Sequence, residues 1–211
     1  MNMKKRMLSI VLSGAMAVST AVSAGSFSAF AVAQCVAYSG SNVNDQDYVQ
    51  WSDTVKSYLT VCDNGNYMRV QSGAIEGKLL VEYYSSDFEP LSTKLIDNEL
   101  PIFGAFYDSG NNYYVLSGQE NPKQNDSLEV FRITKYDKNW NKIKSCGLYG
   151  ANTTVPFDAG SARMTHSGDH LLVRTCHEMY KSSDGNNHQS NVTIEVDMPS
   201  MTITDSYTGI M

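Results

Sequence analysis

Two histidines in the last fifth of the chain, His177 and His188, are the side chains best suited to chemistry. With Glu178 or Asp184 they could bind a divalent metal through two nitrogens and one oxygen. Near neutral pH they could also transfer protons. Their spacing matches no established ligand motif, so the alternative is that both are loop histidines bonded to backbone or water. His177, Asp184 and His188 are therefore metal candidates in a sequence that requires no cofactor.

Polar residues elsewhere add to this group. Arg163 follows closely on Asp158, and a guanidinium there could hold an anionic group of a ligand. We expect Arg163 to point into or near a central channel. The full set of candidate ligand-binding residues is Glu120, Asn121, Asp158, Arg163, His177, Tyr180, Asp184, His188 and Gln189.

No catalytic fingerprint accompanies these residues. The sequence contains no nucleophile elbow, zinc-protease helix motif, phosphate-binding loop or dinucleotide motif. The segment beginning at Asp137 resembles the start of a calcium loop, but Lys142 stands where glycine is needed and Leu148 where glutamate is needed. We interpret it as a β-turn.

The elements that must position the candidates form a pattern that occurs three times. Each unit has four predicted strands joined alternately by an Asp, Asn or Gly turn and by a variable connection. The predicted strands are 58–61, 67–72, 79–84 and 91–96, then 102–106, 113–117, 128–136 and 141–146, then 162–165, 170–175, 192–196 and 201–205. Four-stranded repeats of this length are typical of β-propeller blades.

The two ends of such units differ. In an up-and-down unit, the first-to-second and third-to-fourth connections emerge at one end, and all of these are short turns. The long connections emerge at the other end, over residues 119–127, 147–160 and 176–190. Function concentrates on variable loops held by a rigid scaffold, so we predict that the long-loop end is the ligand face.

The fold class predicted is all-β, an incomplete propeller-like array of about three four-stranded antiparallel blades. A closed propeller has about four to eight blades. We therefore expect the domain over residues 51–211 to be truncated at its C-terminal end, and further blades of the same protein to complete it. The alternative is a β-sandwich. Residues 34–50 form a lead-in segment, and a short helix over residues 45–59 is the alternative to a first inner strand there.

Residues 1–33 have the features of a secretory signal peptide. Lys4, Lys5 and Arg6 precede an uncharged run over residues 7–22, and small-residue cleavage sites follow. Removal of residues 1–33 leaves 13 basic and 22 acidic residues, a net charge of −9. We expect an extracellular protein, secreted or associated with a cell surface, that binds no nucleic acid and does not insert into a membrane. The partner classes that fit this composition are a glycan and a cell-surface protein.

All four cysteines lie in the predicted exported part: Cys35, Cys62, Cys146 and Cys176. An oxidising compartment would permit two disulfides in any of three pairings. Free buried thiols are the alternative.

Several stretches resemble those of large secreted, propeller-like surface proteins of Gram-positive bacteria. The resemblance covers about residues 51–208, and its most specific parts are Pro156-Phe157-Asp158-Ala159-Gly160 and Asp184-Gly185-Asn186-Asn187-His188-Gln189. It implies an extracellular location and a chain that continues into further blades. It implies no reaction.

Two functions follow as hypotheses. The first is an extracellular binding or scaffold module that displays the long-loop end to a glycan or surface protein. The second is a secreted hydrolase, lyase or transferase in which Arg163 holds an anionic group while His177 or His188 transfers protons.

Overall fold

The structure, a computed structural model, describes residues 54–158 and 162–209. The predicted signal peptide (residues 1–33) and lead-in segment (residues 34–50) lie outside the described residues. Every regular element in the described ranges is a β-strand. Accordingly, those ranges contain no helix long and apolar enough to cross a membrane.

Three antiparallel sheets follow one another along the chain. The first sheet has the order β1 (Ser57–Val61), β2 (Tyr67–Ile75), β3 (Lys78–Tyr84), β4 (Pro90–Asp97). The second has the order β5 (Ile102–Asp108), β6 (Tyr113–Gly118), β7 (Glu129–Tyr136), β8 (Lys142–Tyr149). The third has the order β10 (Arg163–Ser167), β11 (His170–Lys181), β12 (Asn187–Asp197), β13 (Thr202–Gly209), and β9 (Thr153–Pro156) also pairs with β11.

All the predicted strands are present, and the all-β class with its three four-stranded up-and-down units is confirmed. The structure extends most of the strands by one to several residues. The alternative of a short helix over residues 45–59 is wrong for residues 57–59, because these residues belong to β1.

The prediction of a long loop over residues 176–190 is wrong. β11 continues to Lys181 and β12 begins at Asn187, so the connection is a short turn at the tip of a long hairpin. Within the predicted loop over residues 147–160, β9 adds a fifth strand, with Pro156 opposite His177 and Val155 opposite Glu178. The long-loop end of the third unit is therefore largely sheet.

The second sheet lies between the other two and packs on both. On β6, Tyr113 and Val115 join a core with residues of the first sheet, whereas Tyr114 and Leu116 join a core with residues of the third. Successive side chains of a strand point to opposite faces, so a sheet covered on both sides has no exposed face. All 6 residues of β6 are accordingly buried.

The inner strands β1, β5 and β10 lie side by side. Tyr58 on β1 meets Phe103 and Phe106 of β5 edge-on, with ring centroids 5.9 and 6.2 Å apart. On the other side of β5, the Tyr107 hydroxyl is 2.7 Å from Nδ1 of His166 on β10. The three sheets thus form a propeller-like array around neighbouring inner strands, which is not the two-layer arrangement of a sandwich.

The turn before the outer strand is built alike in all three units. It contains Phe88, Trp140 and Met201, each with a positive φ (63°, 64° and 49°) that non-glycine residues seldom adopt. Trp140 is 4% exposed and Met201 3%, whereas Phe88 is 60% exposed. The same local geometry therefore leads to two burial outcomes.

Phe157 fastens the third unit to the second. Its ring meets Phe131 edge-on, with centroids 5.4 Å apart, and is 2% exposed. A Cβ on Gly104 would lie 2.3 Å from its Cζ, and one on Gly118 would lie 2.7 Å from its Cε2. The second sheet thus makes room for the Phe157 ring with two residues that have no side chain.

Candidate ligand-binding face

Asn121 is the centre of a hydrogen-bond network at the long-loop end of the second and third units. It is 1% exposed. Its backbone N–H donates to the Thr154 carbonyl at 2.7 Å, and its Nδ2 donates to the Tyr180 hydroxyl at 2.9 Å. Its Oδ1 accepts from the Asn125 backbone N–H at 2.9 Å. Asn121 therefore positions the loop over residues 119–127 against the third unit.

Tyr180, near the end of β11, links this loop to the hairpin. Its hydroxyl accepts a hydrogen bond from Asn121 and is also bonded to the Asp126 carboxylate. Burial, together with the Asp126 carboxylate, raises the pKa of Tyr180. The phenol remains protonated at neutral pH and holds the loop and hairpin together.

Thr154 on β9 forms a second link. Its hydroxyl donates to Glu178 Oε1 at 2.7 Å. Asn187 adds a bond across the hairpin, from Nδ2 to the Met179 carbonyl at 2.7 Å. β9, β11 and β12 are thereby joined by side chains as well as by their backbone ladders.

The exposed part of this face carries two fixed polar pairs. Gln189 Nε2 donates to Asp158 Oδ2 at 2.6 Å, and His188 Nε2 lies 2.9 Å from Asp184 Oδ2. The backbone N–H of Asn186, with a further contribution from His188, lowers the pKa of Asp184. Each pair presents a carboxylate next to a second polar side chain on the surface.

His177 does not belong to that surface. It is 0% exposed, in the same alternating row of β11 as Val173 and Thr175, and its Nδ1 lies 2.6 Å from the Thr153 hydroxyl. Nε2 is buried and finds no hydrogen-bond partner among the described residues. Burial lowers the pKa of His177 to about 4, so the imidazole is neutral at physiological pH.

Arg163 and Glu120 lie at the edges of the network. Glu120 is exposed. Arg163 is the first residue of β10, and its Nη1 donates to the Ala162 carbonyl at 3.1 Å. Burial raises the pKa of Tyr58 on β1, and the Arg163 guanidinium opposes part of that shift. Arg163 is therefore close to an inner strand of another unit.

The structure brings together Asn121 with Tyr180, Asp158 with Gln189, and Asp184 with His188. It separates His177, which is buried, from the exposed pair of His188. In residues 54–158 and 162–209, no three His, Cys, Asp or Glu side chains come together as a possible metal site.

The described cysteines are free thiols. Cys62, Cys146 and Cys176 belong to three different units and are not bonded to one another. Burial is the main cause that raises the pKa of Cys146, to about 11. Cys35 lies outside the described residues.

Sequence reasoning missed Thr153, Thr154 and Asp126 as members of the network. The signal for the two threonines was available, because Thr153-Thr154-Val155 is a β-branched run between Asn152 and a proline. Nothing in the sequence around Asp126 distinguishes it from other loop carboxylates.

No protein-family profile matches the chain, and no curated protein does. A cobalt-substituted apocarotenoid oxygenase of Synechocystis is similar to it over 73% of this chain and 38% of that chain, with 10% identity and a TM-score of 0.47. A GH43 β-1,3-galactosidase solved with galactodeoxynojirimycin is similar over 71% of this chain and 44% of that chain, with 11% identity and a TM-score of 0.39. The chain spans about two fifths of the length of these proteins, and the likeness says nothing of a ligand or a reaction.

Proposed function

We propose that this chain is part of an extracellular binding or scaffold module whose long-loop end contacts a glycan or a surface protein. The observation that carries the proposal is the network centred on Asn121, which fixes a loop of the second unit to the hairpin of the third. A face that is rigid before its ligand arrives loses little conformational entropy on binding. Exposed carboxylate, amide and imidazole groups on that face suit hydroxyl and amide partners.

The same proposal includes the extracellular location of the protein and the presence of further blades. The signal-like residues 1–33 and the acidic composition support secretion. We propose that further blades of the same protein cover the apolar side chains that the first sheet exposes around Phe88, in agreement with the exposure of Phe88 where Trp140 and Met201 are buried.

The test is a glycan and surface-protein array probed with the secreted protein. A triple variant, Asp158→Ala with Arg163→Ala and His188→Ala, removes three accessible polar side chains of the face. We expect it to lose the binding that the unmodified protein shows. The control is Asp205→Ala with His170→Ala, which removes two of the same residue types from other positions of the third sheet. Binding that survives the first triple change, in a protein that melts normally, would place the ligand elsewhere.

A secreted hydrolase, lyase or transferase is the second candidate. Arg163 and His188 are the observations in its favour, since both are accessible and His188 already has a carboxylate partner. The burial of His177 leaves that residue without access to a substrate. Metal analysis of the purified protein, followed by turnover assays on ester, sulfate and glycoside panels, separates the two functions. Zinc or calcium that is lost with Asp184→Ala would favour the enzyme.

A further inference from the structure

A cleft lies between the second and third sheets, at the end opposite the long-loop face. It has a volume of about 290 Å³ and is bounded by the short turns at residues 109–112, 168–169 and 198–199. This size is at the lower limit of pockets for small molecules, roughly 300 Å³. The side chains that could bind a ligand there are Asn111, Tyr114, Lys135, His166 and Asp169.

Tyr114 supplies the observation that points to a ligand. The residue is 0% exposed, and its hydroxyl finds no hydrogen-bond partner among the described residues. A buried hydroxyl without a partner costs about 1–3 kcal/mol, which a protein rarely tolerates without a reason. Burial, with a smaller contribution from Tyr107, raises the pKa of Tyr114 to about 12, so the hydroxyl remains a donor at neutral pH.

The other polar groups of the cleft are held in place by hydrogen bonds and still have further donors or acceptors for a ligand. Lys135 Nζ donates to the Met198 carbonyl at 3.0 Å, and an ammonium group has two further N–H donors. His166 uses Nδ1 in the bond to the Tyr107 hydroxyl at 2.7 Å, and the ring has a second nitrogen. The exposed Asp169 carboxylate adds acceptors.

The combination of acidic and basic groups in the cleft favours one chemical class of ligand. Asp169 disfavours phosphate and carboxylate ligands, and Lys135 disfavours cations. Hydroxyl groups both donate and accept, so a neutral polyhydroxylated molecule satisfies donors and acceptors of both signs. We infer that the cleft between the second and third sheets, which Tyr114 lines, binds a monosaccharide or the terminal sugar of a glycan, and that the unpartnered Tyr114 hydroxyl bonds to that sugar.

A similar cleft between the first and second sheets provides an internal comparison. Its volume is about 300 Å³, and it is lined by Tyr83, Tyr113 and Lys138 among others. Its polar groups already bond to each other: Lys138 Nζ to Asp108 Oδ1 at 2.6 Å, and Trp140 Nε1 to the Tyr83 hydroxyl at 3.0 Å. The unused hydroxyl distinguishes the cleft at Tyr114.

The experiment titrates the full secreted protein with galactose, glucose, mannose and N-acetylglucosamine up to about 10 mM, with ligand-observed NMR and calorimetry, because a small ligand in one cleft is expected to have a dissociation constant of about 1 mM. At least one sugar should bind. Tyr114→Phe should weaken that binding about tenfold or more while the melting temperature stays the same or rises, because the buried hydroxyl disappears. Asp169→Asn, on the exposed rim, should weaken binding without changing stability.

Two controls separate this site from the proposed long-loop face. Tyr149→Phe makes the same chemical change on an exposed tyrosine and should leave binding unchanged. The triple change at Asp158, Arg163 and His188 should also leave it unchanged. The inference is overturned if none of the four sugars binds at about 10 mM, or if Tyr114→Phe and Asp169→Asn both bind as well as the unmodified protein. Loss of sugar binding in the triple variant alone would overturn it too and would support the long-loop face instead.

Discussion

The residue before the outer strand is buried in the second and third units but exposed in the first. Trp140 of the second unit and Met201 of the third share a positive φ with Phe88 of the first. Trp140 lies in the core between the first and second sheets, and Met201 in the core between the second and third. Phe88 is 60% exposed and contacts Tyr67 of its own sheet, with stacked rings 4.5 Å apart.

We infer that the local sequence determines the conformation of the turn. Whether the turn residue is buried depends on the sheet of the preceding unit, against which it packs. In both buried cases the turn residue packs toward the unit that comes before it in the chain. Phe88 occupies the corresponding position on the first sheet, but it is exposed. Leu59, Leu91 and Leu95 of the same sheet are also exposed. Exposed apolar side chains grouped in this manner are typical of a surface that contacts another element.

The largest effect is expected for Trp140→Ala. The Trp140 ring contacts Phe106, Tyr113 and Tyr136 with centroids 5.7, 4.7 and 5.5 Å away, and its Nε1 donates to Tyr83. Removing a buried aromatic ring leaves a cavity and lowers the free energy of unfolding by about 3–5 kcal/mol. Urea denaturation followed by circular dichroism measures it. A loss below about 1 kcal/mol would mean that the first and second sheets do not depend on this contact.

The second prediction concerns the third sheet, where a titratable side chain, His177, is buried. His177 is neutral in the folded state, with its pKa lowered to about 4, while an unfolded chain has the ordinary value of about 6.5. Between these two values only the unfolded state takes up the proton. Stability should therefore fall as the pH decreases from about 6.5 to about 4, by up to about 1.4 kcal/mol per pH unit.

Comparison with His177→Leu isolates this effect, because leucine fills similar space and does not titrate. The stability of the unmodified protein should decrease more steeply than that of the variant over this pH range. His188→Gln, which removes an accessible histidine, is the control and should follow the unmodified protein. Parallel pH profiles of the unmodified protein and His177→Leu would contradict the buried neutral imidazole.

How much of this was predictable depends on the range of the interactions. The three units were readable because alternation and Asp, Asn or Gly turns are local signals, as at Asp137 and Asp108. The hairpin beyond Cys176 was not, because polar residues such as Asn187 and Gln189 occupy strand positions on β12, where they pair with β11, and the other edge of β11 pairs with β9. The roles of Asn121 and Tyr180 depend on contacts 59 residues apart in sequence, which no local pattern encodes.

The third prediction tests how closely the Phe157 ring is fitted. Gly104→Ala places a methyl group 2.3 Å from the Phe157 ring in the present geometry, so the ring or the sheet must shift. Overpacking of this kind costs about 1–3 kcal/mol in the free energy of unfolding. Combining Gly104→Ala with Phe157→Leu should cost less than the sum of the two single changes, since the smaller side chain relieves the overlap. Additive losses would show that the two residues do not share this space.

The smallest effect is expected for Phe88→Ser, and it sharpens the comparison most directly. In the chain as given, Phe88 is mostly solvated, so its replacement should change the free energy of unfolding by no more than about 0.5 kcal/mol. If further blades cover this face, the same substitution in the extended protein should cost several times more, because the ring would then be buried as Trp140 is. Parallel denaturation of both lengths, with and without the substitution, measures the difference. Equal and small losses in both lengths would show that the face with Phe88 stays open to solvent and that the array does not continue across it.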